Sequence, residues 1–475
     1  MKHLLILLSV ITFLSCSNSK EKQQQELQAR ISRIENSIQP TLQIDGEEVP
    51  TYSIEDRLKA LGIPGISIAV VNDGKVEWAK GYGVADSSAN RMVDSLTMFL
   101  AGSISKPVSA IRAHQLVEEG KMSLDENINN YLTSWKVPDN EFTTKEKVTL
   151  RRILNHTAGL TVWGFPGYDK GDTIPTVVEV LDGKGNTDSV RVYKEPGESW
   201  MYSGGGYTII QLAITDVDGM PFPETMQQHI LDPLGMREST FENPLPVAYH
   251  AIAATGYRGN GDEVEGKWPI YPEMAAAGLW TTPSQLIQYA IEIQKIHQTK
   301  TDGILKYETV EEMLTPGMSD HGLGPGIGEF TFGHGGADEG FRADLTAWKD
   351  TPNALVIMVN SDNGSIISEV KLAIAREYNL PGIEANIKKV VQLPTESLEK
   401  YTGKYKIEDL GELEIFELKG HLGAYADFIG DTIQLLAESD TLFFEKSDGT
   451  SFNFSIQGDS VMGFEVDRFT AERVE

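Results

Sequence analysis

Cysteine is all but missing from this chain: Cys16 is the only one in 475 residues, so no disulfide can form within it. Positive charge is scarce as well. Lysine and arginine number 41 against 69 aspartates and glutamates, a formal net charge of −28. Nucleic-acid phosphates are bound through cations that neutralise them, and anionic lipid attracts basic segments, so this balance argues against both partners. The nine histidines are scattered, without a His-x-x-x-His or His-Glu pair at metal-ligand spacing. A zinc hydrolase is therefore disfavoured, and no metal or cofactor is expected. The Gly-x-Ser-x-Gly pattern of a nucleophile elbow is absent, which counts against an α/β-hydrolase. No tandem repeat stands out. The N-terminal apolar run from Leu4 to Leu14 is too short to span a membrane as a folded helix.

That run follows Lys2 and precedes Ser15-Cys16, the layout of a bacterial secretory signal that ends at a lipidated cysteine. The expectation is an exported protein, held in the cell envelope only by lipid on Cys16, with residues 1–16 as the signal. Residues 17–46 read as a polar tether, and Leu27, Ile31, Ile34 and Ile38 at helical spacing predict one amphipathic helix in it.

Beyond the tether, ISIAVV, the turn NDGK and VEWAKGYGV predict two strands in a tight hairpin from Gly65. Residues from about Leu100 to Gln294 read mostly helical. In SISKPVSAIRAHQLVEEGK, Val108, Ile111, Ala113 and Leu116 share one side. PSQLIQYAIEIQ is a second helix, with Thr282 placed to cap it and Pro283 at its first position. TVWGFPGYDKG between them looks like a long surface loop. Strand character returns in GEFTFGHGG, FRADLTAWK and ALVIMVNSDNG, separated by ADEG and DTPN turns, and a helix follows from Ser365 to Tyr378. Strands at both ends with helices between them predict an α/β (α+β) domain over 47–385: one antiparallel sheet flanked by helices, with a helical subdomain and a cleft between the two. After a linker near Pro381 to Pro394, residues 394–475 alternate short apolar runs with Gly, Asp and Ser. This predicts a small antiparallel barrel or sandwich.

Three constellations can do chemistry. Ser103-Ile104-Ser105-Lys106 sits where a helix starts, and residues three apart share a helix face, so the Ser103 hydroxyl and Lys106 amine can meet. A helix N-terminus favours an anion and disfavours an ammonium there, and a serine needs a neighbouring base to become a nucleophile. Ser-x-x-Lys also occurs at Ser17, Ser19, Ser368 and Ser397, so placement carries the reading; the competing one is a serine that merely caps the helix. Tyr202-Ser203-Gly204-Gly205-Gly206-Tyr207 puts a phenol on a Gly-rich turn into a helix, where it can shuttle a proton. Gly333-His334-Gly335-Gly336-Ala337 lies in a predicted strand whose glycines imply close approach of a ligand or another backbone. His156, in LNHTAGL, reads as structural.

Taken in order, SISK, YSG and HGG resemble the Ser-x-x-Lys, Tyr-x-Asn and Lys-Thr-Gly motifs of the serine β-lactamase and penicillin-binding protein family, class C-like. LNHTAGL, ILDPLGM and AAAGLWTTPSQL extend the resemblance over approximately Tyr52 to Tyr378. It implies that family's β-lactamase/transpeptidase-like fold and a serine hydrolase in which Ser103 is acylated. Lys106 and Tyr202 would then manage its proton, and the backbone NH groups of Ser103 and Ala337 would form the oxyanion hole. Two positions depart from the pattern. Gly204 replaces the asparagine that helps hold a substrate amide, and His334, beside Gly335, replaces the lysine that attracts a carboxylate. Both bring the chain nearer to the esterase and D-amino-acid peptidase branches, with a small ester, amide or D-amino-acid peptide as substrate. Arg342 could supply a replacement cation. The alternatives are a DD-peptidase or β-lactamase, and a catalytically silent protein that binds cell-wall fragments.

Overall fold

The computed structural model describes residues 21–407, 410–467 and 469–474, so Cys16 and the signal segment lie outside the described residues. The chain forms two compact units. One comprises Ser53–Lys371 with Leu380–Gly382; the other comprises residues up to Tyr52, Leu372–Asn379 and Ile383 onward. The segments 21–52 and 372–379 thus group with the C-terminal strands and not with Ser53–Lys371. Among the described residues no helix is long and apolar enough to cross a membrane.

In the first unit, strands β1 (Gly65–Asn72), β2 (Lys75–Asp86) and β3 (Arg91–Met92) share a sheet with β4 (Gly326–Ile327), β5 (Thr331–Asp338), β6 (Phe341–Trp348) and β7 (Ala354–Val359). Its seven strands run in the order β3-β2-β1-β7-β6-β5-β4. The β1–β2 hairpin turns through Asp73 and Gly74, both at positive φ (53° and 70°), the geometry a two-residue turn requires and NDGK supplies. Antiparallel pairing of β1 with β7, Ile68 opposite Ile357, joins the two ends of the unit. Both strands are apolar almost throughout because both faces are covered: every residue of β7 is buried, and helix α3 (Pro283–Thr299) packs on β1 and β7. Thr282 caps α3 by accepting from the Gln285 amide, with Pro283 at the first position. The opposite face carries helix α4 (Ser365–Tyr378), with Lys371 ion-paired to Asp344 of β6 at 3.0 Å.

Helix α1 (Ser105–Glu118) departs from the one-sided burial expected of it. Every residue from Ser105 to His114 is buried, because α1 runs through the core and not along its surface. Its buried Arg112 is bidentate to Asp218 at 2.6 and 2.9 Å, which offsets the desolvation of the guanidinium.

In the second unit, residues 21–35 form the expected helix, but the hydrophobic positions are not those of a free tether: Ile31, Ile34 and Ile38 are buried, and Arg33 pairs with Glu377 at 2.7 Å. The C-terminal strands close into a barrel of eight: β8 (Gly403–Ile407), β9 (Gly411–Leu418), β10 (His421–Tyr425), β11 (Thr432–Ala437), β12 (Leu442–Glu445), β13 (Ser451–Gln457), β14 (Ser460–Val466) and β15 (Phe469–Arg473). Pairing of β8 with β15 completes the ring and removes free edges. Tyr401, Tyr405, Phe443, Phe454 and Phe464 fill the interior with edge-to-face and tilted ring contacts.

Candidate active site

The turn that carries Ser103, the candidate nucleophile, is built by the chain entering α1. Ala101 donates its amide to Leu279 O, and Gly102 turns the backbone at φ +53°. A Cβ on Gly102 would lie 2.5 Å from the Ala337 nitrogen, so glycine is required both by conformation and by the closeness of β5. A one-turn 3-10 segment, Gly102–Ile104, then leads into α1. Ser103 is half-buried on this turn, and Lys106, 2% exposed, places Nζ 2.9 Å from Ser103 Oγ and 2.9 Å from Ala276 O. The Lys106 amine donates to both oxygens and so ties the Ser103 hydroxyl to the backbone of Ala276.

β5 crosses directly over this turn. A Cβ on Gly336 would sit 2.0 Å from Ala101 O, so the close approach implied by the strand glycines is made here by the nucleophile's own backbone. Alternation along β5 puts His334, Gly336 and Asp338 on the nucleophile side. His334 Nδ1 lies 2.6 Å from Gly335 O; a carbonyl only accepts, so Nδ1 carries the proton and Nε2 is left as an acceptor. Burial, followed by the Lys106 charge, holds the imidazole well below its usual pKa and therefore neutral at pH 7.

Tyr202 lies with its ring 4.9 Å from Lys106 Nζ and 6.1 Å from the His334 ring. It is held from behind by His156, whose ring is 4.3 Å away and whose Nδ1 accepts the Ser203 amide at 3.1 Å. His156 thus packs and positions the tyrosine segment. His321 completes the group, 4.7 Å from His156 and 5.9 Å from His334 between ring centres; burial depresses its pKa to about 4. Among the described residues no three His, Cys, Asp or Glu side chains are placed to hold a metal.

Ser203 caps helix α2 (Gly204–Asp218), accepting from the Gly206 amide at 3.0 Å, so the glycines expected in a turn form the first helical turn. They are small because neighbours crowd them: a Cβ on Gly204 would meet the Phe165 ring at 2.9 Å, and one on Gly205 would meet Val190 at 2.7 Å. Gly204 is buried beneath Phe165 and does not line the cleft.

Ser103, Lys106, Tyr202, His334, Gly335 and Ala337 line one open cleft of ≈ 640 Å³, walled by Trp163, Phe165 and Trp200. Arg342 borders it from β6. Alternation along β6 turns Arg342 and Asp344 to the α4 face, and Arg342 Nη1 is engaged by Asp362, Asp338 O and Phe341 O. A groove of similar size, ≈ 680 Å³, around Met220, Glu242 and Met274 contains no serine, cysteine or lysine.

Sequence reading missed two acids. Asp338, expected in the ADEG turn, is the last residue of β5, only 5% exposed, and lines the cleft. Glu273, fully buried, immediately precedes the short helix Met274–Ala277 that carries Ala276. No local pattern marks either one, since their burial arises from contacts with distant segments.

Residues 53–375 match the family model described as Beta-lactamase. The chain belongs to the beta-lactamase family. It is 24% identical over 371 residues to the putative penicillin-binding protein PbpX of Bacillus subtilis (strain 168), covering 76% of this chain and 89% of that protein. Penicillin-binding protein 4* of the same organism is 22% identical over 434 residues, covering 84% and 91%. Among solved structures, the octameric penicillin-binding protein homologue from Pyrococcus abyssi superposes with TM-score 0.61 at 21% identity, covering 88% of this chain and 97% of that one. The D-amino acid amidase from Ochrobactrum anthropi SV3, complexed with L-phenylalanine amide, gives TM-score 0.56 at 22% identity, covering 68% and 98%. The mixed fold read from the sequence, an antiparallel sheet with helices and a C-terminal β-domain, is the fold observed, and it superposes on the Pyrococcus abyssi homologue over most of its length.

Proposed function

We propose that this member of the beta-lactamase family is a serine hydrolase that works through an acyl-enzyme on Ser103 and cleaves a small ester, amide or D-amino-acid peptide. The observation that carries the reading is the 2.9 Å contact between Lys106 Nζ and Ser103 Oγ at the floor of the cleft. Lys106, when its amine is unprotonated, takes the hydroxyl proton as Ser103 Oγ bonds to the substrate carbonyl carbon, and the carbonyl electron pair moves onto its oxygen. The backbone NH groups of Ser103 and Ala337 hold that oxyanion. Its collapse breaks the bond to the leaving group, which departs with the proton returned by Lys106 or through Tyr202. Water then repeats the sequence on the acyl-enzyme, releasing the acid and restoring the serine.

Neutral His334 offers no permanent cation to a substrate carboxylate, which favours esters and aminoacyl compounds over carboxylate-bearing β-lactams. The test is covalent labelling by a fluorophosphonate together with turnover of a nitrophenyl ester. Ser103→Ala is expected to abolish both while the protein stays folded, and Lys106→Ala to lose on the order of 10²-fold or more in rate. Retention of most activity by Ser103→Ala refutes the mechanism.

A further inference from the structure

Two carboxyl groups near the nucleophile have no role in the mechanism above. Asp338 lines the cleft at 5% exposure, and its Oδ2 has no hydrogen-bond partner. Glu273, at 0% exposure, has no partner for either carboxyl oxygen. Glu273 opposes ionisation of Asp338, whereas Lys106, Arg342 and the Gly102 amide favour it. Neither cation forms an ion pair with Asp338 among the described residues. Arg342 is committed to Asp362, and Lys106 to Ser103 and Ala276. Three buried carboxyl oxygens without partners are costly, and buried polar groups are ordinarily satisfied. Of the two acids only Asp338 lines the cleft, and its Oδ2 is the oxygen within reach of a donor arriving there.

We propose that Asp338 receives the α-ammonium of an aminoacyl substrate, so that the cleft selects acyl groups carrying a free amine next to the scissile carbonyl. This rests on the reading of Ser103 as the acylated nucleophile. The location follows from β5. Ala337 packs against Gly102 at the nucleophile turn, and Asp338 is one residue further along a strand that rises about 3.3 Å per residue. That separation suits an amine on the carbon attached to the carbonyl. Burial raises the Asp338 pKa to about 8, so the acid stays largely uncharged until an ammonium arrives to stabilise its anion. The aromatic walls, Trp163 and Phe165, leave the rest of the acyl group an apolar surface.

The test compares alanine p-nitroanilide, in both hands, with propionyl p-nitroanilide, which lacks only the amine. The wild-type enzyme is expected to prefer the preferred hand of the aminoacyl compound by at least about tenfold in kcat/KM. Asp338→Asn, which keeps an acceptor for the Gly102 amide but loses the charge, is expected to reduce that ratio by at least about tenfold. A ratio that survives in Asp338→Asn, or one near unity in the wild type while fluorophosphonate still labels Ser103, overturns this inference alone. An equal fall for both substrates also overturns it, since that is the signature of a purely structural aspartate. Absence of fluorophosphonate labelling in the wild type overturns the serine-hydrolase reading and this inference with it.

Discussion

Gly336→Ala is the substitution that asks most directly whether β5 and the nucleophile turn work as one surface. The added Cβ would lie 2.0 Å from Ala101 O, whereas real Cβ contacts essentially never fall below 3.0 Å. The obstructing atom is backbone, and Ala101 is pinned by the hydrogen bond its amide donates to Leu279 O, so no side chain can swing aside. The strand must retreat by about 1 Å, a displacement that costs about 10²-fold when it separates groups meant to act together. In barrier terms that is about 2.7 kcal/mol, alongside roughly 1–3 kcal/mol of stability lost to overpacking. Gly335→Ala is the control, because its Cβ would find its nearest atom, Ala343 O, at 3.9 Å. The assay is the rate of fluorophosphonate labelling and kcat/KM for a nitrophenyl ester, with circular dichroism to establish folding. Gly336→Ala is expected to lose about 10²-fold and Gly335→Ala less than about fivefold. If the two variants behave alike, the close approach of β5 to Ala101 does not govern the chemistry.

His334→Lys should restore a permanent cation beside Lys106 and raise kcat/KM for a carboxylate-bearing cephalosporin relative to a nitrophenyl ester by about tenfold or more, reflecting a charge-assisted bond of about 1.5–3 kcal/mol; an unchanged ratio sinks that account. Asp338→Asn should raise Tm at pH 8 more than at pH 4: burial raises the folded-state pKa to about 8, so the wild type gains nothing below the unfolded value near 4 and loses stability as pH rises towards 8. Thermal melts that respond equally at the two pH values contradict it. Lipid attachment at Cys16 remains a proposal from the sequence, and Cys16→Ser should release the protein from membranes or stall its maturation, because one acyl chain binds only marginally and stable anchoring takes several. Native protein found wholly in a soluble fraction would count against the anchor.

Elements whose ends are written in their own residues were legible. Asp73-Gly74 specifies its turn, Thr282-Pro283 starts α3, and Ser365–Tyr378 was bounded to the residue. Elements that depend on neighbours were not. The last barrel strand, Phe469–Arg473, has only Phe469 and Ala471 apolar, and it exists because β8 and β14 both pair with it. The start of α2 was hidden for a related reason. Three consecutive glycines read locally as a flexible turn, yet Phe165, Val190 and Ile153 press so closely on them that only glycine lets the first helical turn fit.

The site divides along the same line. Ser103 and Lys106 could be paired from spacing alone, since helix geometry brings residues three apart together. Tyr202 and His334 became convincing through their order along the chain, and His156, His321, Asp338 and Glu273 had no signal of that kind because each reaches the site from a different segment. Those hidden residues determine the polarity of the cleft. Three imidazoles crowd the Lys106 side, and burial keeps each of them below its ordinary pKa, so the site holds one buried amine and no additional cation there. On the Gly102 side stand two acids with unmet hydrogen-bonding capacity. Replacing a lysine by a histidine on β5 therefore changes more than one contact. It takes a permanent cation out of the cleft and leaves Asp338, uncharged until a donor reaches it, as an unsatisfied polar group of the lining, on which the proposed selection of aminoacyl substrates rests.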